Sequence, residues 1–89
     1  MLHERWELSG SVALRPEPFG ALAYDFDSRR LTFLKSPGLV RVVRALGDGG
    51  DVHDALIAGG VPQEQWPRYL EALTRLAEHH MLRPAGVAA

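Results

Sequence analysis

Cysteine is absent from this 89-residue chain. That removes disulfides, thiolate nucleophiles and cysteine-ligated zinc or iron–sulfur centres at once. A charge excess of either sign is missing too: ten Lys and Arg face eleven Asp and Glu, for a formal net charge of −1. Nucleic-acid domains draw much of their affinity from phosphate neutralisation and carry a basic excess. A generally basic surface is therefore excluded. Long apolar runs are missing as well, since none approaches the roughly 20 residues that cross a bilayer. Met1–Gly10 is broken by His3, Glu4, Arg5 and Glu7 and lacks the apolar centre of a signal peptide. The expectation is no membrane partner and a cytoplasmic location. What the chain does have is 46% hydrophobic residues, enough for one small domain over residues 1–89.

The first third alternates with period two, as strands do. Val12 and Leu14 set the pattern in Ser11–Arg15. Pro16 and Pro18 donate nothing to a ladder and are expected to end that strand. Phe19–Phe26 follows, with Leu22, Tyr24 and Phe26 on one face and Phe19, Ala21 and Ala23 on the other. Asp25 and Asp27 read as a solvated turn, and Asp27-Ser28-Arg29 as the hairpin connection. Arg30–Lys35 is a third strand, bulky on both faces.

The rest has helical spacing. Ser36-Pro37 is an N-cap followed by proline where its missing N–H costs nothing. Leu39, Val42, Val43 and Leu46 then recur at helical intervals until Gly47. Asp51 caps a short second helix that ends at Gly59-Gly60. The third helix carries the strongest stripe: Trp66, Tyr69, Leu70, Leu73, Leu76, Ala77 and His80. Met81, Leu82 and Pro84 close it, and Ala85–Ala89 reads as a frayed tail. The order β-β-β-α-α-α gives an α+β domain, a three-stranded antiparallel meander followed by three helices.

Catalytic chemistry has little to stand on. Ser9, Ser11, Ser28 and Ser36 lie in turn, strand or cap contexts, with no nucleophile-elbow pattern. No phosphate-binding glycine motif occurs. His3, His53, His79 and His80 lack metal-site spacing, since adjacent His79 and His80 diverge by about 100° on a helix. No metal, no cofactor and no catalytic residue is expected. Asp51 to His80 has a helix-turn-helix outline, and a winged-helix-like DNA-binding regulator is the alternative reading. Its recognition helix and lead-in would carry Glu64, Glu71 and Glu78 against Arg68 and Arg75, which opposes phosphate.

The third strand is an edge strand of the meander. Exposed edges are normally shortened, charged or covered. Here Arg30 and Lys35 flank an apolar centre, which invites a partner strand, with the third helix as a second wall. A proline at Thr32 or Leu34 is expected to delete a pairing N–H. Two other occupants suit the same edge: the chain's own N-terminus, or a second copy in a homodimer paired through this strand.

The stretches RLTFLKSPGLVRVVRALGDGGDVHDAL and YLEALTRLAEHHMLRP resemble the RiPP recognition element, the winged-helix-like PqqD-type domain of ribosomal-peptide biosynthesis. More narrowly, WELSGSVALRPEPFGALAYDFDSRRLTFLKSP is similar to the peptide chaperones of mycofactocin biosynthesis, and the resemblance covers roughly residues 6–84. It implies a domain that does no chemistry itself. Such a domain binds the leader of a precursor peptide and presents the core to a radical S-adenosylmethionine maturase, which acts on a C-terminal Val-Tyr. In the family the leader adds as a strand beside the third strand and lies on the third helix. Carried over by element, Leu31, Thr32, Phe33, Leu34 and Lys35 supply backbone bonds and pockets. Tyr69, Leu73, Arg75 and Leu76 are the candidates on the helix wall, although Leu73 and Leu76 also suit the core. Arg29, Arg30, Lys35, Arg68 and Arg75 are placed to pair with acidic leader residues, each exposed pair contributing about 0–1 kcal/mol.

Overall fold

The computed structural model describes residues 1–85. The chain runs β1 (Trp6–Leu8), β2 (Val12–Glu17), β3 (Gly20–Asp25), β4 (Leu31–Leu34), α1 (Pro37–Leu46), α2 (Val52–Ala58), a single 3₁₀ turn (Gln63–Gln65), α3 (Trp66–Glu78) and β5 (Leu82–Pro84). The α+β class and the meander of β2, β3 and β4 are as expected, all antiparallel and in sequence order. Beside them lies a second sheet of two strands, β1 against β5. The expected closing residues Leu82 and Pro84 are therefore strand, and so is part of the N-terminal stretch. The expected frayed tail lies, past Ala85, outside the described residues. Ala85 itself donates its N–H to the Arg5 carbonyl at 2.9 Å.

Pro16 does not end β2; it pairs opposite Ala21 within it. Its tolerance follows from ladder parity. Residues opposite each other in an antiparallel pair alternate between bonded and non-bonded. Phe26 N–H donates to the Ser11 carbonyl, which makes Ala13–Tyr24, Arg15–Leu22 and Glu17–Gly20 the bonded pairs of the same ladder. Pro16 falls on the alternate set, so its missing N–H faces the open edge. Pro18 and Phe19 form the tight turn into β3, so Phe19 is not in a strand. Phe26 likewise lies in the loop beyond β3. At Gly20 the φ is +150°, and a β-carbon there would strike the Leu34 carbonyl. Only glycine fits that approach.

Asp25 is not solvated; it is buried at the end of β3. Its carboxylate accepts from the Ser11 hydroxyl (2.7 Å), the Asp27 N–H (3.0 Å) and the Ser28 hydroxyl (3.0 Å). The Ser11 bond above all holds its pKa below the ordinary carboxylate value, against the opposing effect of desolvation.

The helices start where the caps lie. Ser36 Oγ accepts the Leu39 N–H at 3.2 Å, with Pro37 opening α1. Asp51 and Asp54 form a reciprocal capping box at α2. α3 ends at Glu78, two residues before its stripe suggests. His80 adopts φ +61°. The Met81 N–H then reaches the Leu76 carbonyl (2.9 Å), and the His80 N–H the Ala77 carbonyl (3.0 Å). This is a Schellman closure with histidine in the left-handed position. His80 is consequently exposed, whereas Met81 is fully buried.

The core lies between one face of the meander and the three helices. Ala21, Ala23 and Leu34 meet Val42, Val43, Leu46, Val52, Leu56, Leu73, Leu76, Met81 and Leu82. Burying a side chain of the Leu or Met kind contributes roughly 1.5–3 kcal/mol. The small Ala21 and Ala23 let the helices sit close on β3. The N-terminus packs elsewhere. Val52 donates to the Glu4 carbonyl (3.0 Å) and His53 to the Leu2 carbonyl (2.8 Å). It therefore does not cover β4.

Candidate functional site

β4 pairs with β3 alone among the described residues, so its other edge is open. The Asp25 N–H donates to the Arg30 carbonyl at 2.9 Å, which fixes the parity of this ladder. With the register Ala23↔Thr32 and Ala21↔Leu34, residues 30, 32 and 34 face β3. Leu31 and Phe33 therefore turn their N–H and C=O groups to the open edge. This corrects the expectation for Thr32 and Leu34, whose N–H groups serve the internal ladder.

The side chains of β4 divide between two faces. Leu34 is buried and Thr32 half-buried toward the helices, while Leu31 and Phe33 are exposed on the far face. Just past the end of β4, a groove of about 330 Å³ lies between the β4–α1 junction and α3. It is lined by Lys35, Ser36, Leu39, Gln65, Arg68, Tyr69 and Ala72. Its lining holds two cations and no carboxylate.

The local sequence explains this shape. Ser36-Pro37 turns the chain from strand into helix at once, which leaves Lys35 and Leu39 on the groove side. Gln65 at the cap of α3, with Tyr69 and Ala72 within it, falls at i, i+4 and i+7 along one side. A β-carbon at Gly38 would collide with the Tyr69 hydroxyl, so the ring lies flush on the first turn of α1.

Of the residues expected at the site, Lys35, Arg68 and Tyr69 meet in the groove. Leu31 and Phe33 offer backbone along the open edge, and Lys35 joins that edge to the groove. Arg29 and Arg30 are exposed in the loop before β4, Arg29 with φ +60°. Arg75 is exposed and paired with Glu71 at 3.6 Å along the helix. Leu73 and Leu76 are buried at 0% and 4% exposure, so their side chains belong to the core rather than to a ligand. Ser36, Leu39, Gln65 and Ala72 were not among the residues expected at the site, Ser36 and Leu39 being read only as cap and core stripe. The Gln65–Tyr69–Ala72 spacing was the available signal for three positions of that wall.

One other cluster has donor atoms close together: Asp51, His53 and Asp54, with candidate ligand atoms within 4.8 Å of one another. One oxygen of each carboxylate is committed to the capping box. The Asp54 N–H chiefly lowers the Asp51 pKa. The cluster's evident work is to start α2.

The family described as the peptide chaperone MftB family matches residues 5–83. This chain belongs to that family. It is 51% identical over 79 residues to the peptide chaperone MftB of Mycobacterium ulcerans, covering 89% of this chain and 72% of that protein. It is 49% identical over 81 residues to the peptide chaperone MftB of Mycolicibacterium smegmatis, covering 91% and 79%. The MftB of Mycobacterium tuberculosis is 46% identical over 79 residues. No solved structure gives a significant match. Among the described residues no helix is long and apolar enough to cross a membrane. The exposed charges of α3 offer no basic face either: Arg68 and Arg75 are offset by Glu71 and Glu78. The DNA-binding alternative thus finds no support.

Proposed function

We propose that this chain, as a single domain over residues 1–89, is a non-catalytic chaperone for the leader of a ribosomally made precursor peptide. The leader adds as a strand to β4 and is delivered to a radical S-adenosylmethionine maturase of mycofactocin biosynthesis. The observation that carries this reading is the open edge of β4, which leads through Lys35 to a cation-lined groove. Leu31 and Phe33 supply the pairing N–H and C=O groups. Inward-facing leader side chains meet Leu39, Tyr69 and Ala72, and leader carboxylates meet Lys35 and Arg68. Membership of a peptide-chaperone family supports the ligand class, and the resemblance to mycofactocin chaperones supports the pathway.

The test is titration with a synthetic leader peptide, following backbone amide shifts. The amides of Leu31 and Phe33 and the 65–72 stretch of α3 are expected to move most. No response there would overturn strand addition. A second copy paired through β4 would compete for the same edge. Sedimentation with and without leader reads this directly, a leader-dissociated dimer being the signature.

A further inference from the structure

Leu31 and Phe33 present more than backbone at the open edge. Their side chains are 54% and 57% exposed, on the face of β4 away from the helices. On one side Leu31 lies opposite Tyr24 and Phe33 opposite Leu22. On the other side β4 has no neighbouring strand among the described residues. The Phe19 ring packs edge-on to Phe33 at 5.7 Å, and Phe19, Phe33 and Lys35 line an open notch of about 380 Å³. Charge commonly blunts an edge at such positions. Here the two residues that turn N–H and C=O groups outward carry apolar side chains instead.

Ladder geometry decides what an added strand does there. Every pairing in this sheet is antiparallel. A strand that continues the pattern exchanges backbone bonds with Leu31 and Phe33. Residues that exchange bonds lie directly opposite and share a face. Two of the ligand's side chains, two residues apart, are therefore set beside Leu31 and Phe33 on the far face. The residues between and beside them point to the helix side. The helix-side groove thus meets only alternate residues of the ligand. Lys35 lines both the groove and the notch, so the two surfaces join around the end of β4.

We propose that the bound peptide is read on both faces, an apolar-x-apolar pair seating against the Leu31 and Phe33 side chains while the alternate residues turn to the helix-side groove. This rests on the leader reading above and narrows its ligand. Helix-side residues meet Leu39, Tyr69 and Ala72, so the recognised segment is apolar at consecutive positions rather than at every second one. Leu31 and Phe33 then determine specificity through their side chains as well as their backbone.

The test is a serine scan of a synthetic leader peptide, with affinities from calorimetric titration. Cross-strand NOEs assign the peptide residues that lie opposite Leu31 and Phe33. Serine at either of those two positions is expected to weaken binding about two- to threefold, and serine at the residues between them to weaken it as well. Leu31→Thr with Phe33→Thr keeps both N–H groups and a strong strand preference. This double variant is expected to bind the unmodified peptide about fivefold more weakly. It should also be indifferent to serine at the two far-face positions, while the helix-side penalties persist. Losses confined to helix-side residues, or far-face penalties unchanged in the threonine variant, would overturn two-faced reading and leave strand addition standing. Should the variant fail to fold, the scan on the native chain decides alone. If the Leu31 and Phe33 amides of the native chain do not respond to the peptide, the leader reading itself falls.

Discussion

The Tyr69 hydroxyl rests on Gly38, at a point where a β-carbon could not fit without displacing the ring. The contact joins α3 to the first turn of α1 and sets one wall of the groove. Gly38→Ala should therefore act on binding more than on folding. Alanine is the better helix former by up to about 1 kcal/mol, which offsets the cost of rotating the end of one side chain. Leader affinity is expected to fall about three- to tenfold, with tenfold corresponding to about 1.4 kcal/mol. Calorimetric titration of the variant, alongside its melting temperature, checks both halves.

The parity of β4 separates two kinds of proline substitution. Phe33→Pro removes an N–H that faces the open edge. It should abolish leader binding and keep the fold, whereas Phe33→Ala, which retains the N–H, should keep most of the affinity. Thr32→Pro removes a ladder bond to Ala23 and should destabilise the sheet. Circular dichroism melts and peptide titration of the three variants give distinct patterns.

Acid sensitivity is expected to centre on Asp25. Its folded pKa is depressed, chiefly by the Ser11 hydroxyl. Its contribution to stability is thus present above the unfolded carboxylate value of about 3.9 and lost as pH falls through the lower folded value. Ser11→Ala should raise the Asp25 pKa and move acid unfolding to higher pH. Titration of the Asp25 carboxyl resonance reads the first effect, and the acid transition midpoint the second.

His80→Gly should stabilise the chain. A left-handed residue with a β-carbon costs about 1–2 kcal/mol, partly offset by glycine's larger unfolded-state entropy. The imidazole is exposed, and the Ser9 hydroxyl bonds the His80 carbonyl, which glycine keeps. A gain of about 0.5–1 kcal/mol in chemical denaturation is expected.

The caps at Ser36 and Asp51 and the stripes of α1 and α3 were legible because each depends on residues within a turn of each other. The open β4 edge was legible from its place as the last strand of a meander. Three features were not. The face of β4 that meets the core is decided by the two alanines of β3, whose small size matters only once α1 packs on them. Pro16 sits within β2 because ladder parity, which is a property of two strands, directs its missing donor outward. The β1–β5 pair joins residues some 76 positions apart, beyond any local period. At the site, Lys35, Arg68 and Tyr69 were readable as groove residues. Leu73 and Leu76 share the helix stripe with Tyr69, and only the packing of the core divides that stripe between interior and ligand.

Pro16 also makes the two margins of the meander chemically unequal. A sheet with two receptive margins can be extended end to end, each copy templating the next into a fibre. Here one margin presents the unpaired N–H and C=O groups of Leu31 and Phe33, while the other carries an imide where a donor is required. Addition of a strand at β4, from any source, meets no equally receptive β2 margin from which a third copy could continue the sheet. The two unequal margins thus let the sheet keep one apolar edge open while opposing its own β-polymerisation.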